Sequence, residues 1–142
     1  MEAVLPALGQ VLNTPEFRER IYEIAVLLNQ SDPERPLHRT YSPEEIRQMS
    51  GGFAALLDEA VQQRGTEVRT LYFETLLPGL VAQGFTLSAI IEWNATYMSI
   101  LSCEALLALA PEHRGAATLW LARFTGRYLG DIVGVLTPAA AR

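Results

Sequence analysis

LSAIIEWNATYMSILSCEALLALA (residues 87–110) and, directly after it, PEHRGAATLWLARFTGRYLGDIVGVL (residues 111–136) decide the fold of this chain. Each run is too long for an ordinary strand and repeats its apolar residues at helical spacing. In the first, Leu87, Ile91, Asn94, Met98, Leu101, Ala105 and Leu109 form one stripe, and Ile90, Trp93, Tyr97, Ile100 and Leu107 a second. In the other, Leu119, Ala122, Leu129, Val133 and Leu136 lie on one face and Leu121, Phe124, Tyr128, Ile132 and Val135 on another. Helices apolar on two sides must bury both, which makes this pair central. Thr86 is the expected N-cap of the first, Pro111 starts the second, and Pro138 stops it.

Working towards the N-terminus, Gly84 suits a left-handed C-cap with Phe85 as its hydrophobic contact. It closes a fourth helix from about Thr66 to Gln83. Val68, Leu71, Tyr72, Leu76 and Leu80 are the expected stripe there, and Pro78 should kink it against the carbonyl of Glu74. Ser42-Pro43-Glu44-Glu45 has the form of a capping box and opens a third helix whose apolar side is Ile46, Met49, Phe53, Leu56, Leu57 and Ala60. Gly51-Gly52 predicts a bend or a close neighbour within it. Asn29 to Tyr41 reads as the main loop. Thr14-Pro15-Glu16 starts a second helix with Phe17, Ile21, Ile24, Ala25 and Leu28 facing inward. A short first helix spans about Glu2 to Leu12. Six helices joined by short links predict one all-α domain, a helical bundle or globin-like arrangement.

Composition excludes several functions. The chain has 142 residues, 49% of them hydrophobic, enough for one core without staples. Its net charge is −5, and its eleven basic side chains are all arginines, scattered singly, which disfavours nucleic acid. Without lysine there is no Schiff base, no pyridoxal attachment and no phosphate-binding P-loop lysine. Cys103 is the single cysteine, so no internal disulfide forms. Glu2 stands where a signal peptide would carry basic charge, and a cytoplasmic location is expected. The uncharged run Thr75 to Ile91 is broken by Pro78, Gly79 and Gly84, too short and interrupted for a membrane span.

Catalytic and metal constellations are missing. His38 lies in the charged loop and His113 in the first turn of the last helix, neither on an apolar stripe that would hold haem. Glu44-Glu45 is accounted for by capping, and Asp58-Glu59 falls on the polar side of its helix. Glu92, Glu104 and Asp131 stand alone, and the Glu-x-x-His spacing of di-iron bundles is absent. No Gly-x-Ser-x-Gly elbow occurs. Cys103, with Ser102 and Glu104 beside it, reads as a buried structural thiol. No enzyme, cofactor or metal is therefore expected.

Two features invite function. Asn94 interrupts an apolar stripe with Trp93 and Tyr97 nearby; the three could line a small-molecule cavity between the third, fourth and fifth helices, or Asn94 could be a satisfied core amide. On the last helix Gly126, Gly130 and Gly134, continued backwards by Ala122 and Thr118, place small residues every fourth position. Together with Leu129 and Val133 they would let a helix approach closely, from a second chain or from the same one. Arg123, Arg127 and Asp131 exclude a membrane setting for the pattern.

From Tyr41 to Leu136 the chain resembles the N-terminal sensory domains of RsbR-type stressosome proteins. The residues that carry this are YSPEEIRQM (41–49), LLDEA (56–60), LLPGLVAQGFTLSAIIEW (76–93) and FTGRYLGDIVGVL (124–136). The resemblance implies a haem-free globin-like fold, a homodimer, and a bacterial stress-signalling role in which the last helix relays a signal to an output domain or partner protein. The sequence to Arg142 does not include the output domain of that plan, so either a fragment of a larger signalling protein or a stand-alone partner-binding protein is expected, and no functional residue is carried over from the resemblance.

Overall fold

The computed structural model describes residues 3–31 and 41–137, and every regular element among them is a helix. They are α1 (Val4–Leu12), α2 (Pro15–Ser31), α3 (Pro43–Gln62), α4 (residues 67–82), α5 (Leu87–Ala108) and α6 (Pro111–Leu136). The protein is all-α, as the sequence predicts. His38 and most of the expected loop lie outside the described residues, and α2 continues through Ser31.

Local chemistry sets the helix ends. Ser42 Oγ accepts from the Glu45 amide at 3.1 Å and the Glu45 carboxylate accepts from the Ser42 amide at 3.0 Å, with Pro43 opening the helix. Thr86 Oγ1 accepts from the Ala89 amide at 3.1 Å. Gly84 has a φ of 101°, and the amides of Gly84 and Phe85 reach back to the carbonyls of Val81 and Leu80 at 3.0 and 3.1 Å. That double closure needs the left-handed residue glycine supplies. The end of α5 uses a side chain instead: Arg114 Nε donates to the carbonyls of Leu106 and Leu109 at 3.0 and 3.2 Å. A cation there also opposes the negative end of the helix dipole.

The short α1 is packed between α3 and the α5–α6 pair, with Leu8 and Leu12 fully buried. Its end is fixed by Asp58, which is buried rather than on a polar side. The Asp58 carboxylate accepts from Asn13 Nδ2, Gln62 Nε2 and Arg64 Nη2, each at 2.8 Å, while Asn13 Nδ2 also donates to the carbonyl of Gly9. Packing α1 over α3 covers this acid, and three donors offset its lost hydration.

In the α5–α6 hairpin the core side of α5 is Ile90, Asn94, Tyr97, Met98, Leu101 and Ala105. Leu107, expected on a buried stripe, is 71% exposed, and Cys103, expected to be buried, faces solvent because it lies opposite Leu101 and Ala105 on the wheel. On α6, Ala117, Leu121, Tyr128 and Ile132 enter the core, whereas Val135 is exposed beyond it. Among the described residues no helix is long and apolar enough to cross a membrane.

Gly51 and Gly52 sit inside an unbroken α3, and a Cβ built on either would have open space, so the expected close neighbour is not there. Gly52→Ala should accordingly raise stability by about 0.5–1 kcal/mol through helix propensity and reduced chain entropy. A thermal melt that shifted downward would contradict it.

Candidate functional site

Pro78 shapes the site from α4. It has no amide hydrogen to hold the Glu74 carbonyl, and its ring crowds that group. The helix answers with a widened turn: Glu67–Leu71 is α-helical, Tyr72–Leu76 is a π turn, and Leu77–Ala82 is α-helical again. The Leu77 amide reaches back five residues to the Tyr72 carbonyl. The expected kink is thus a change of phase. Val68 and Phe73, five residues apart, and Leu77, four further on, face the core, while Leu71 and Leu76 are 56% and 50% exposed. A uniform 3.6 repeat had placed those two inside; the wider turn rotates them out.

This phase brings Tyr72 onto Asn94. Tyr72 and Tyr128 both donate their hydroxyl protons to Asn94 Oδ1, at 2.8 and 2.6 Å. Asn94 Nδ2 donates to the Ile90 carbonyl at 2.8 Å. Asn94 is fully buried, so one amide joins α4, α5 and α6 in the core. Around it the rings interlock. Phe73 meets Tyr128 edge-on at 5.8 Å between centroids, and Phe53 of α3 stacks on Tyr97 at 4.6 Å. Trp93 contacts Tyr97 edge-on at 5.0 Å.

The three residues singled out in the sequence therefore come together as packed core. Asn94 is engaged at both ends of its amide, Tyr97 is buried under Phe53, and Trp93 is half-buried at the rim. Tyr72 and Tyr128, the partners of Asn94, were named only as apolar stripe positions. Nothing in the spacing announces that their hydroxyls meet, because that depends on the π turn.

Burial leaves its mark on the phenols. It raises Tyr97 from the ordinary value of 10.0 to about 12, opposed by the neighbouring Asn29 side chain. Tyr128 and Tyr72 are also raised, in both cases chiefly by burial. A phenol harder to ionise in the fold than in the unfolded chain stabilises the fold below the unfolded value and ceases to do so as pH rises through the folded one. For Tyr97 alone the window is about pH 10 to 12, and the contribution at stake is about 2–3 kcal/mol. Tyrosinate absorbance of the three should rise together with loss of helical circular dichroism. Ionisation of all three near pH 10 in a chain still folded would contradict this.

A second tie joins α4 to α6 at the surface. Arg69 pairs with Asp131 and lies over the Phe73 ring at 4.5 Å. The N-terminus of α4 is capped from α3, where the Glu59 carboxylate accepts from the amides of Val68 and Arg69 at 2.8 and 3.1 Å. Between α4 and the end of α6 lies an open cleft of about 380 Å³ lined by Thr66, Arg69, Thr70, Phe73, Glu74 and Val135.

The opposite side of α6 carries the other candidate. Ala122, Gly126, Gly130, Val133 and Gly134 are exposed and Leu129 is half-buried. A Cβ on Gly126, Gly130 or Gly134 would meet nothing within 4 Å, so no helix among the described residues fills this face. His113 is half-buried in the first turn of α6, and among the described residues no cluster of three metal-ligating side chains is found.

No family model matches the chain, and no curated protein or solved structure is detectably similar to it.

Proposed function

We propose that this chain is a regulatory, sensor-type domain that pairs with a second copy through the outer face of α6 and relays a signal to an output module or partner protein. One observation carries the pairing. Gly115, Leu119, Ala122, Gly126, Leu129, Val133 and Leu136 follow one another at alternating steps of four and three along one side of α6, on which Gly115, Leu119, Ala122, Gly126 and Val133 are exposed and Leu129 and Leu136 are half-buried against the core. That is the spacing of a coiled-coil seam.

The seven seam positions carry no charge, with Arg123 and Arg127 flanking them, and two of their large side chains are open, Leu119 at 47% and Val133 at 41%. A run of several helical turns that is both uncharged and exposed is unfavourable in water unless covered. Two copies of the same seam are self-complementary about a two-fold axis, the commonest symmetry for a soluble oligomer. The regulatory part of the reading rests on the resemblance to RsbR-type sensory domains and on the absence of catalytic residue patterns in the sequence. A cytoplasmic, stress-signalling setting belongs to the same resemblance.

Gel filtration coupled to light scattering tests the pairing. A mass twice the chain's 15.7 kDa at micromolar concentration is expected. A single-chain mass across that range overturns it.

A further inference from the structure

We infer that α4 is a movable strap whose π turn holds one surplus residue, and that its position is transmitted to α6 through Asn94. The inference deepens the reading of α6 as the pairing helix, since it names what could regulate that helix.

The strap has the right attachments. Its backbone is closed at one end by Gly84, while its start is held to α3 through the Glu59 side chain, a cap on the Val68 and Arg69 amides that must release when the residues before the π turn rotate. Between these ends it reaches the rest of the protein through Val68, Tyr72, Phe73, Leu77 and Leu80 inward, and through Arg69 to Asp131 at the surface. Leu71, Leu76 and Val81 are about half exposed, so they do not hold it in place. The cleft beside Thr66, Thr70 and Val135 leaves room on the α6 side.

A π turn differs from an α turn by one residue per turn. Tightening it to α geometry turns the residues before it by about 100° and shifts them about 1.5 Å along the axis relative to those after it. With Leu77 held in the core, that motion lifts the Tyr72 hydroxyl off Asn94 and separates Arg69 from Asp131. Both contacts end on α6 or on the amide that also binds Tyr128. Tyr128 lies on the same turn as Gly126, on the opposite side of the helix. Its bond to Asn94 acts with the core packing of Ala117, Leu121 and Ile132 to set the rotation of α6 about its own axis, and so the direction in which the outer seam points.

Deleting Thr75, an exposed residue of the π turn, tests the device. Removal of the surplus residue lets Leu77 bond Tyr72 as an ordinary α turn with both flanks in their present phase. The deleted protein should fold, keep Tyr72 against Asn94, and lose the ability to shift. Relaxation-dispersion NMR reads this at concentrations where the protein is monomeric. Wild type should show microsecond-to-millisecond exchange at Tyr72, at the Asn94 side-chain amide and along residues 128–135, and the deletion should silence it. Failure of the deletion to fold, no exchange in wild type, or exchange unchanged by the deletion each overturns the inference. Because the readout is on the monomer, a protein that never dimerises sinks the pairing and leaves this result to stand by itself.

Discussion

Asn94→Leu is expected to lower the stability of this protein by about 3 kcal/mol, one of the two largest effects we predict. Leucine matches asparagine in size but offers no acceptor, so the hydroxyls of Tyr72 and Tyr128 lose their shared partner. Tyr128 is 1% exposed and cannot turn to water. A buried donor left unpaired costs about 1–3 kcal/mol, far more than a satisfied hydrogen bond contributes on balance. In a domain of this length the melting temperature should fall by about 6–12 °C. Restoring chemical consistency supplies the control. Tyr72→Phe and Tyr128→Phe added to Asn94→Leu remove both orphaned donors, and most of the lost stability should return. If the triple variant is no more stable than Asn94→Leu alone, the cost lies in shape and not in hydrogen bonding.

Asn94 was visible in the sequence because one polar residue in an apolar stripe must be explained, yet the sequence left open whether it lines a cavity or satisfies itself. Its two partners were hidden for a definite reason. The stripe drawn through Leu71, Tyr72 and Leu76 assumed an unchanging helical repeat, and Pro78 changes the repeat just before it. Spacing arguments recover the buried face only where the backbone is regular, as along α6, where Leu121, Tyr128 and Ile132 are core as predicted. Helix ends were legible because capping is local: Ser42 with Glu45, Thr86, and Gly84 with Phe85 each act within a few residues. Contacts across the chain were not, and Glu59 capping α4 or Arg114 closing α5 could not be read from spacing. Asp58 shows the same limit, since its burial depends on where α1 lies.

For α6 the sequence supplied two apolar faces and no means to choose between them. The structure assigns Leu121, Tyr128 and Ile132 to the core and turns the glycine side outward, which gives glycine substitutions an informative sign. In a lone chain Gly126→Ala and Gly130→Ala meet open space and should each add up to about 1 kcal/mol through helix propensity. In a close-packed pair the added methyl groups hold the helices apart, and association weakens.

Gly126→Leu with Gly130→Leu carries the contrast furthest. Gly126 lies in the seam and Gly130, one turn on, at its edge; close packing there depends on interlocking at helix separations of 8–10 Å or less, and two leucines on each partner forbid that approach. Association should weaken by about a hundredfold or more, equivalent to about 2.7 kcal/mol, while the helical content of the monomer is kept or increased. Sedimentation equilibrium over a range of concentrations measures the first and far-ultraviolet circular dichroism the second. Should the paired leucines tighten the dimer, the seam would be an ordinary leucine-filled coiled coil in which the glycines are gaps, and Leu119, Leu129 and Val133 would be its anchors. Should they leave a dimer of unchanged affinity, the contact lies elsewhere on the surface, and exposed Leu119 and Val133 need another partner. Only loss of association with an intact fold assigns the pairing to the small-residue face of α6.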